Sequence, residues 1–218
     1  MKLLLESWRQ YIAEDESSYF PWLEELKTKG GEALMGDNFE RIGSGAFRVV
    51  FRPKGDDEHI IKLIKNPRDS WMNQAESKTG NTYPELFPKT YAHADDWEWV
   101  VQESVEVLTK PKIDKMSLML KKTFPTLYLA FGGITLKGSS IYYLWDDLKQ
   151  AAKKPYTGRQ DKIYKLAMKE EPNFVQLSKA ISDFGIDVED LDFGNIGINE
   201  EGFLRILDAS IFSRPRGL

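Results

Sequence analysis

Toward the end of the chain a short acidic loop feeds a hairpin, and nothing else in the sequence restricts the fold as tightly. The loop reads Asp190-Leu191-Asp192-Phe193-Gly194-Asn195, and two apolar-rich runs follow, Asn195–Ile198 and Phe203–Leu207. Between them stands Asn199-Glu200-Glu201-Gly202, whose Asn and Gly are turn residues, so the two runs predict an antiparallel hairpin. That hairpin brings Asp208, thirteen residues beyond Asn195, back toward Asn195. An acid, an Asn five residues later and a second acid on the far arm suit phosphate chemistry. One acid stands by an attacking hydroxyl, while the Asn and the second acid hold metal ions on nucleotide phosphates. Taken alone, Asp190 and Asn195 equally suit a capped turn, and Asp208 the end of a strand.

A second constellation lies far upstream. Ile42-Gly43-Ser44-Gly45-Ala46-Phe47-Arg48-Val49-Val50-Phe51 predicts a strand, a tight glycine turn and a second strand. Such a turn lets backbone N–H groups approach phosphate oxygens without interference from side chains. Next comes His59-Ile60-Ile61-Lys62-Leu63-Ile64, an apolar strand with one Lys inside it. A Lys on a half-buried strand needs a partner, and a phosphate plus a carboxylate supply two. Glu76, on a helix expected over Ser70–Ser77, is the first choice of carboxylate, with Glu85 and Glu103 as substitutes. The plainer alternatives are a simple hairpin for Gly43 and Gly45 and a snorkelling edge residue for Lys62.

In this order the motifs resemble the protein-kinase-like superfamily. Gly43-Ser44-Gly45-Ala46-Phe47-Arg48-Val49-Val50 stands for its glycine-rich loop, and Ile61-Lys62 for its nucleotide Lys. Glu76 stands for the ion-pair partner, Asp190…Asn195 for the catalytic loop and Asp208 for the metal-binding acid. The resemblance runs from about Phe39 to Asp208, with no alignable motif between Leu108 and Phe174. It implies an α+β fold of two lobes: a small antiparallel-sheet N-lobe with one helix, and a reduced, mostly helical C-lobe. ATP and Mg2+ would bind between them. Lys62 and Gly43, Ser44 and Gly45 would meet the phosphates, and Val100 to Glu103 would form the hinge strand whose backbone meets adenine. Asn195 and Asp208 would hold Mg2+, with Asp190 by the acceptor hydroxyl.

Several positions depart from that pattern. Arg48 replaces the third glycine of the loop. Val188-Glu189 stands where a His-Arg pair usually precedes the catalytic acid, and Asp208-Ala209-Ser210 replaces Asp-Phe-Gly. Only ten residues follow Asp208, so the segments that form a peptide-docking platform in the family are not encoded there. The expectation is a chain that keeps the nucleotide half of a kinase and lacks the usual peptide-docking half.

Composition narrows the alternatives. The 218 residues are 41% hydrophobic and 12% aromatic, enough for a sizeable core. A net charge of −4 with scattered basic residues argues against a nucleic-acid partner. With no Cys and only two His, disulfides, Cys-ligated metals and His-based acyl transfer are excluded. The longest largely apolar stretch, Leu127 to Leu136, is broken by Gly132-Gly133 and too short to cross a bilayer, so a cytoplasmic protein with no membrane partner is expected.

Three segments follow from the patterning: a helical N-terminal extension over 1–36, a glycine-loop lobe over 37–107 and a reduced helical lobe over 108–218. Phe39 to Ile64 predicts three strands, and Tyr91 to Glu103 a hairpin with Asp95-Asp96 at its tip. Pro125–Ala130, Ser140–Lys153, Arg159–Lys169 and Asn173–Phe184 predict helices, the last with Phe174, Leu177, Ile181 and Phe184 on one face. Trp97, Trp99, Tyr142, Tyr143 and Trp145 are expected in core rather than on a ligand platform. Residues 1–14 place Leu4, Trp8, Tyr11 and Ile12 on one helical face and end in Ile12-Ala13-Glu14. This leader is similar to the capsid-targeting peptides of large tailed bacteriophages, which implies a phage protein packaged in the head and clipped after Glu14; an ordinary packed helix is the alternative. Three functions stand at this point. The first is an ATP-dependent phosphotransferase with a protein Ser/Thr or small-molecule acceptor. The others are a pseudokinase-like module that docks on a host or viral protein, and a structural virion component of the phage capsid.

Overall fold

The computed structural model describes residues 20–108, 113–132, 140–153 and 158–207. The leader 1–14 and Asp208 lie outside these residues. The fold is α+β, with an antiparallel-hairpin sheet first and helices after it, and the chain divides into two compact units. The first comprises Met1–Ser70 and Tyr91–Gln102, the second Trp71–Thr90 and Glu103–Leu218.

The first unit is built on five strands, β1 (Phe39–Ser44), β2 (Arg48–Pro53), β3 (His59–Ile64), β4 (Thr90–His93) and β5 (Trp99–Glu103), in the order β1-β2-β3-β5-β4. β1–β2 and β2–β3 are antiparallel, as the three-strand reading of Phe39 to Ile64 requires. The β4–β5 hairpin turns at Asp95-Asp96, where Asp96 Oδ1 accepts the Glu98 N–H at 3.0 Å. Helix α1 (Pro21–Lys29) stops where Gly30 takes φ 60°, with Lys27 and Lys29 in the last turn, where cations favour the helix C-terminus. Its Leu23 and Leu26 pack with Phe39, Phe51, Ile61, Trp99 and Val101 into one core. Asp56 ties this end of the helix down: it accepts from Trp22 Nε1 at 3.2 Å, from the N–H groups of Glu58 and His59 at 3.0 Å, and lies 2.9 Å from His59 Nδ1.

The second unit begins with helix α2 (Trp71–Thr82), longer than the expected Ser70–Ser77. It continues with α3 (Ile113–Thr123), α4 (Ser140–Lys153), α5 (Arg159–Glu170) and α6 (Pro172–Phe184). α3 has no counterpart among the expected helices, although Met116, Met119, Leu120 and Thr123 fall on one buried face. The helix expected over Pro125–Ala130 is present: an α-helical turn, Pro125–Leu127, runs on without a break into a π-helical stretch, Tyr128–Gly132. The first turn is capped from elsewhere, the buried Glu171 carboxylate accepting the Leu127 N–H at 2.9 Å. On α6, Phe174, Leu177 and Ile181 are buried and Phe184 packs against the same core, as their spacing predicts. Gly185 ends α6 at φ 66°, and Ile186 N–H donates to Ile181 O at 3.1 Å.

A three-stranded antiparallel sheet closes this unit, ordered β6 (Glu106–Val107), β7 (Ile196–Ile198), β8 (Leu204–Ile206). The β7–β8 hairpin is the one read from the sequence, and β6 is an added edge. Trp99 and Trp145 are core residues, in the first and second unit respectively, whereas Tyr143 is exposed. No helix among the described residues is long and apolar enough to cross a membrane.

Candidate functional site

The glycine loop and Lys62 occupy one region of the first unit. Cross-strand pairing places Gly43 opposite Val50 and Val50 opposite Lys62, one row across three strands. Paired residues share a face, so this row lies opposite the one where Phe51 and Ile61 join the core with α1. The register slips at Ile42, between Arg41 and Gly43. The connection from Ser44 to Arg48 is tight: Gly45 N–H donates to Arg48 O at 2.9 Å. Lys65, just past β3, holds it in place, its N–H on Phe47 O at 2.9 Å and its ammonium on Gly45 O.

The glycines of this loop are not required by the chain's own packing. Neither Gly43 nor Gly45 has positive φ. A Cβ on Gly45 would meet nothing within 4 Å, and one on Gly43 would come only to 3.8 Å from Val50. A plain hairpin would tolerate side chains at both positions. Lys62 is 6% exposed, and Arg48, two residues before Val50 on β2, is 7% exposed on the same face. The residue that departs from the glycine pattern therefore adds a second buried cation. Its signal in the sequence is a basic residue at alternate spacing from Val50.

The acidic loop is organised within the second unit. Asp187 accepts the Glu189 N–H at 3.1 Å and starts a single 3-10 turn, Val188–Asp190, that leaves Asp190 exposed. Asn195 closes the loop in three directions. Its Nδ2 donates to Asp190 O at 2.8 Å, its N–H to Asp192 O at 2.8 Å, and its carbonyl accepts the Leu207 N–H at 2.8 Å. Leu207 is the residue before Asp208, so the hairpin returns the chain to Asn195 as its turn chemistry predicts. With Nδ2 turned to the Asp190 carbonyl, the Asn195 side chain presents its oxygen, a hard donor of the kind Mg2+ takes. Among the described residues no group of three acidic, His or Cys side chains is gathered to hold a metal.

Glu76 stands on α2 and is 1% exposed. Glu103, at the end of β5, has its carboxylate on Arg205 Nε at 3.2 Å and on the Lys89 N–H at 3.4 Å, and its own N–H donates to Lys89 O at 2.9 Å. Its side chain therefore braces the end of β5. Helix α4, which carried no recognised motif, supplies Trp145, Lys149 and Gln150 to the acidic loop.

No family model matches the sequence, and no curated protein does. Solved structures overlap it loosely. An ADP-bound aminoglycoside phosphotransferase APH(2'')-Ib is 11% identical with a TM-score of 0.40, over 86% of this chain and 69% of that one. Choline kinase LicA from Streptococcus pneumoniae is 17% identical with a TM-score of 0.39, over 85% and 67%. Macrolide 2'-phosphotransferase MphH from Brachybacterium faecium is 12% identical with a TM-score of 0.41, over 86% and 72%.

Proposed function

We propose that the chain is an ATP-dependent phosphotransferase of protein-kinase-like type, acting on an alcohol acceptor. The observation that carries this reading is the closure of the acidic loop by Asn195, which joins Asp190 to the end of the hairpin and leaves the Asp190 carboxylate exposed. In the reaction an acceptor hydroxyl oxygen attacks the γ-phosphorus. The bond from that phosphorus to the β-phosphate oxygen breaks, ADP leaves, and Asp190 takes the hydroxyl proton. Gly43, Ser44 and Gly45 give room for the phosphates, and Lys62 supplies a cation to their oxygens. The end of the hinge strand at Glu103 meets the base. Asn195 and Asp208 would hold Mg2+, which when bound neutralises charge on the phosphate oxygens.

Titration with ATP and Mg2+ should raise the melting temperature, and absence of any rise overturns the proposal. Transfer of γ-phosphate label is then followed with Ser/Thr proteins, amino alcohols and sugars as acceptors. Asp190→Ala should lower transfer by about 10²-fold or more while ATP still binds.

A second reading, a nucleotide-binding module without transfer that docks on a host or viral protein, is favoured by two details. The Gly45 N–H is already bonded to Arg48 O, and Asp187, Glu189, Asp190 and Asp192 crowd like charge around the loop. ATP binding without transfer to any acceptor class selects it. The packaged-phage reading rests on the leader that ends in Ile12-Ala13-Glu14, and absence of the protein from purified virions removes it; virion-derived protein starting at Met1 rather than Asp15 removes only the clipping.

A further inference from the structure

Helix α4 meets the acidic loop with three side chains from adjacent turns. Trp145 Nε1 donates to Leu191 O at 3.0 Å, and Gln150 Nε2 to Glu189 Oε1 at 2.6 Å. Between them, Lys149 Nζ lies 3.3 Å from Asp192 Oδ1 and 3.2 Å from Asp146 Oδ1. These contacts seize the residues on both sides of Asp190 and leave Asp190 itself exposed. The side chain of Lys149 is 6% exposed, whereas those of Asp146 and Asp192 are 57% and 74% exposed.

That asymmetry needs a reason. A Lys is almost never buried without a strong one, and an ion pair whose acids face water adds little stability. The loop supplies the reason. Asp190 and Asp192 are two residues apart in a run with Asp187 and Glu189, and like charges this close push one another aside. The Lys149 ammonium, 3.3 Å from Asp192 Oδ1, holds that carboxylate to α4 and offsets part of this repulsion.

We infer that Lys149 is a positioning residue for Asp190: by holding Asp192 against α4, it sets the turn from Asp190 to Asn195. The route is short. Asp192 O accepts the Asn195 N–H at 2.8 Å, and Asn195 Nδ2 holds the Asp190 carbonyl at 2.8 Å. A shift of Asp192 therefore reaches Asp190 through one intervening residue. The kinetic consequence rests on the phosphotransferase reading; the loop geometry stands without it.

Lys149→Met keeps the aliphatic stem packed and leaves two carboxylates that already face water, so the variant should fold. Amide exchange at Asn195 should become about tenfold faster than in the wild type. With ATP and an acceptor, kcat should fall about 10- to 100-fold while KM for ATP stays within about threefold. Lys149→Arg should restore most of both. Unchanged exchange at Asn195 in Lys149→Met overturns the inference whatever the turnover, and so does wild-type kcat in that variant. Faster exchange in Lys149→Met, in a protein whose wild type transfers no phosphate, supports the positioning of the loop and removes the phosphotransferase reading instead.

Discussion

At Gly197 a Cβ would lie 2.6 Å from Glu106 O and 2.7 Å from Val105 Cγ1, both on the neighbouring segment. Backbone cannot yield cheaply at such a distance, so Gly197→Ala should destabilise the protein by about 1–3 kcal/mol, read from urea unfolding. Gly45→Ala offers the contrast. With nothing within 4 Å of its Cβ, stability should change by no more than about 0.5 kcal/mol. ATP affinity should nevertheless fall if the open space takes phosphate, and an unchanged ATP titration would remove Gly45 from the site. Tyr83 makes a different kind of prediction. Burial, and then its hydrogen bond to Asp183 Oδ2 at 2.7 Å, push its hydroxyl from 10.0 up to about 12. Above pH 10 the unfolded chain gives up this proton before the folded one does, so the Tyr83 contribution is intact below pH 10 and is lost as pH rises toward 12. Melting temperatures across that range should fall more steeply for the wild type than for Tyr83→Phe.

Among the elements, α1 is held to the sheet by apolar burial at Leu23 and Leu26 and by the four donors gathered on Asp56. Asp56→Ala strands Trp22 Nε1 and the buried His59 ring, and should cost about 1–3 kcal/mol, measured by urea unfolding followed through tryptophan emission. Elements whose signal is local were legible. β1, β2 and β3 announce themselves by apolar and β-branched runs around a glycine turn, and α6 by Phe174, Leu177 and Ile181 at helical spacing. β6 was not legible, because two exposed residues become a strand only when β7 lies beside them. The helix that starts at Pro125 was expected, but its widening over Tyr128–Gly132 and the cap from Glu171, forty-four residues beyond Leu127, were not legible.

For the molecule as a whole, two compact units each have their own core, one around α1 and the five-stranded sheet and one among the helices. If the chain binds nucleotide as proposed, ATP with Mg2+ at a hundredfold excess over Kd should stabilise the native state by about 2.7 kcal/mol, seen as a rise in melting temperature that chelation reverses. Sequence alone determined the α+β class of the fold and the β7–β8 hairpin, since these follow from periodicity and turn chemistry within short windows. Tertiary structure decided what those windows do not contain. The alignment of Gly43, Val50 and Lys62 in one row depends on pairing between strands, and Arg48 joins Lys62 on one face only through that register. The hold of Lys149 on Asp192 joins residues forty-three positions apart, a distance that no local pattern spans and that packing of α4 against the loop closes.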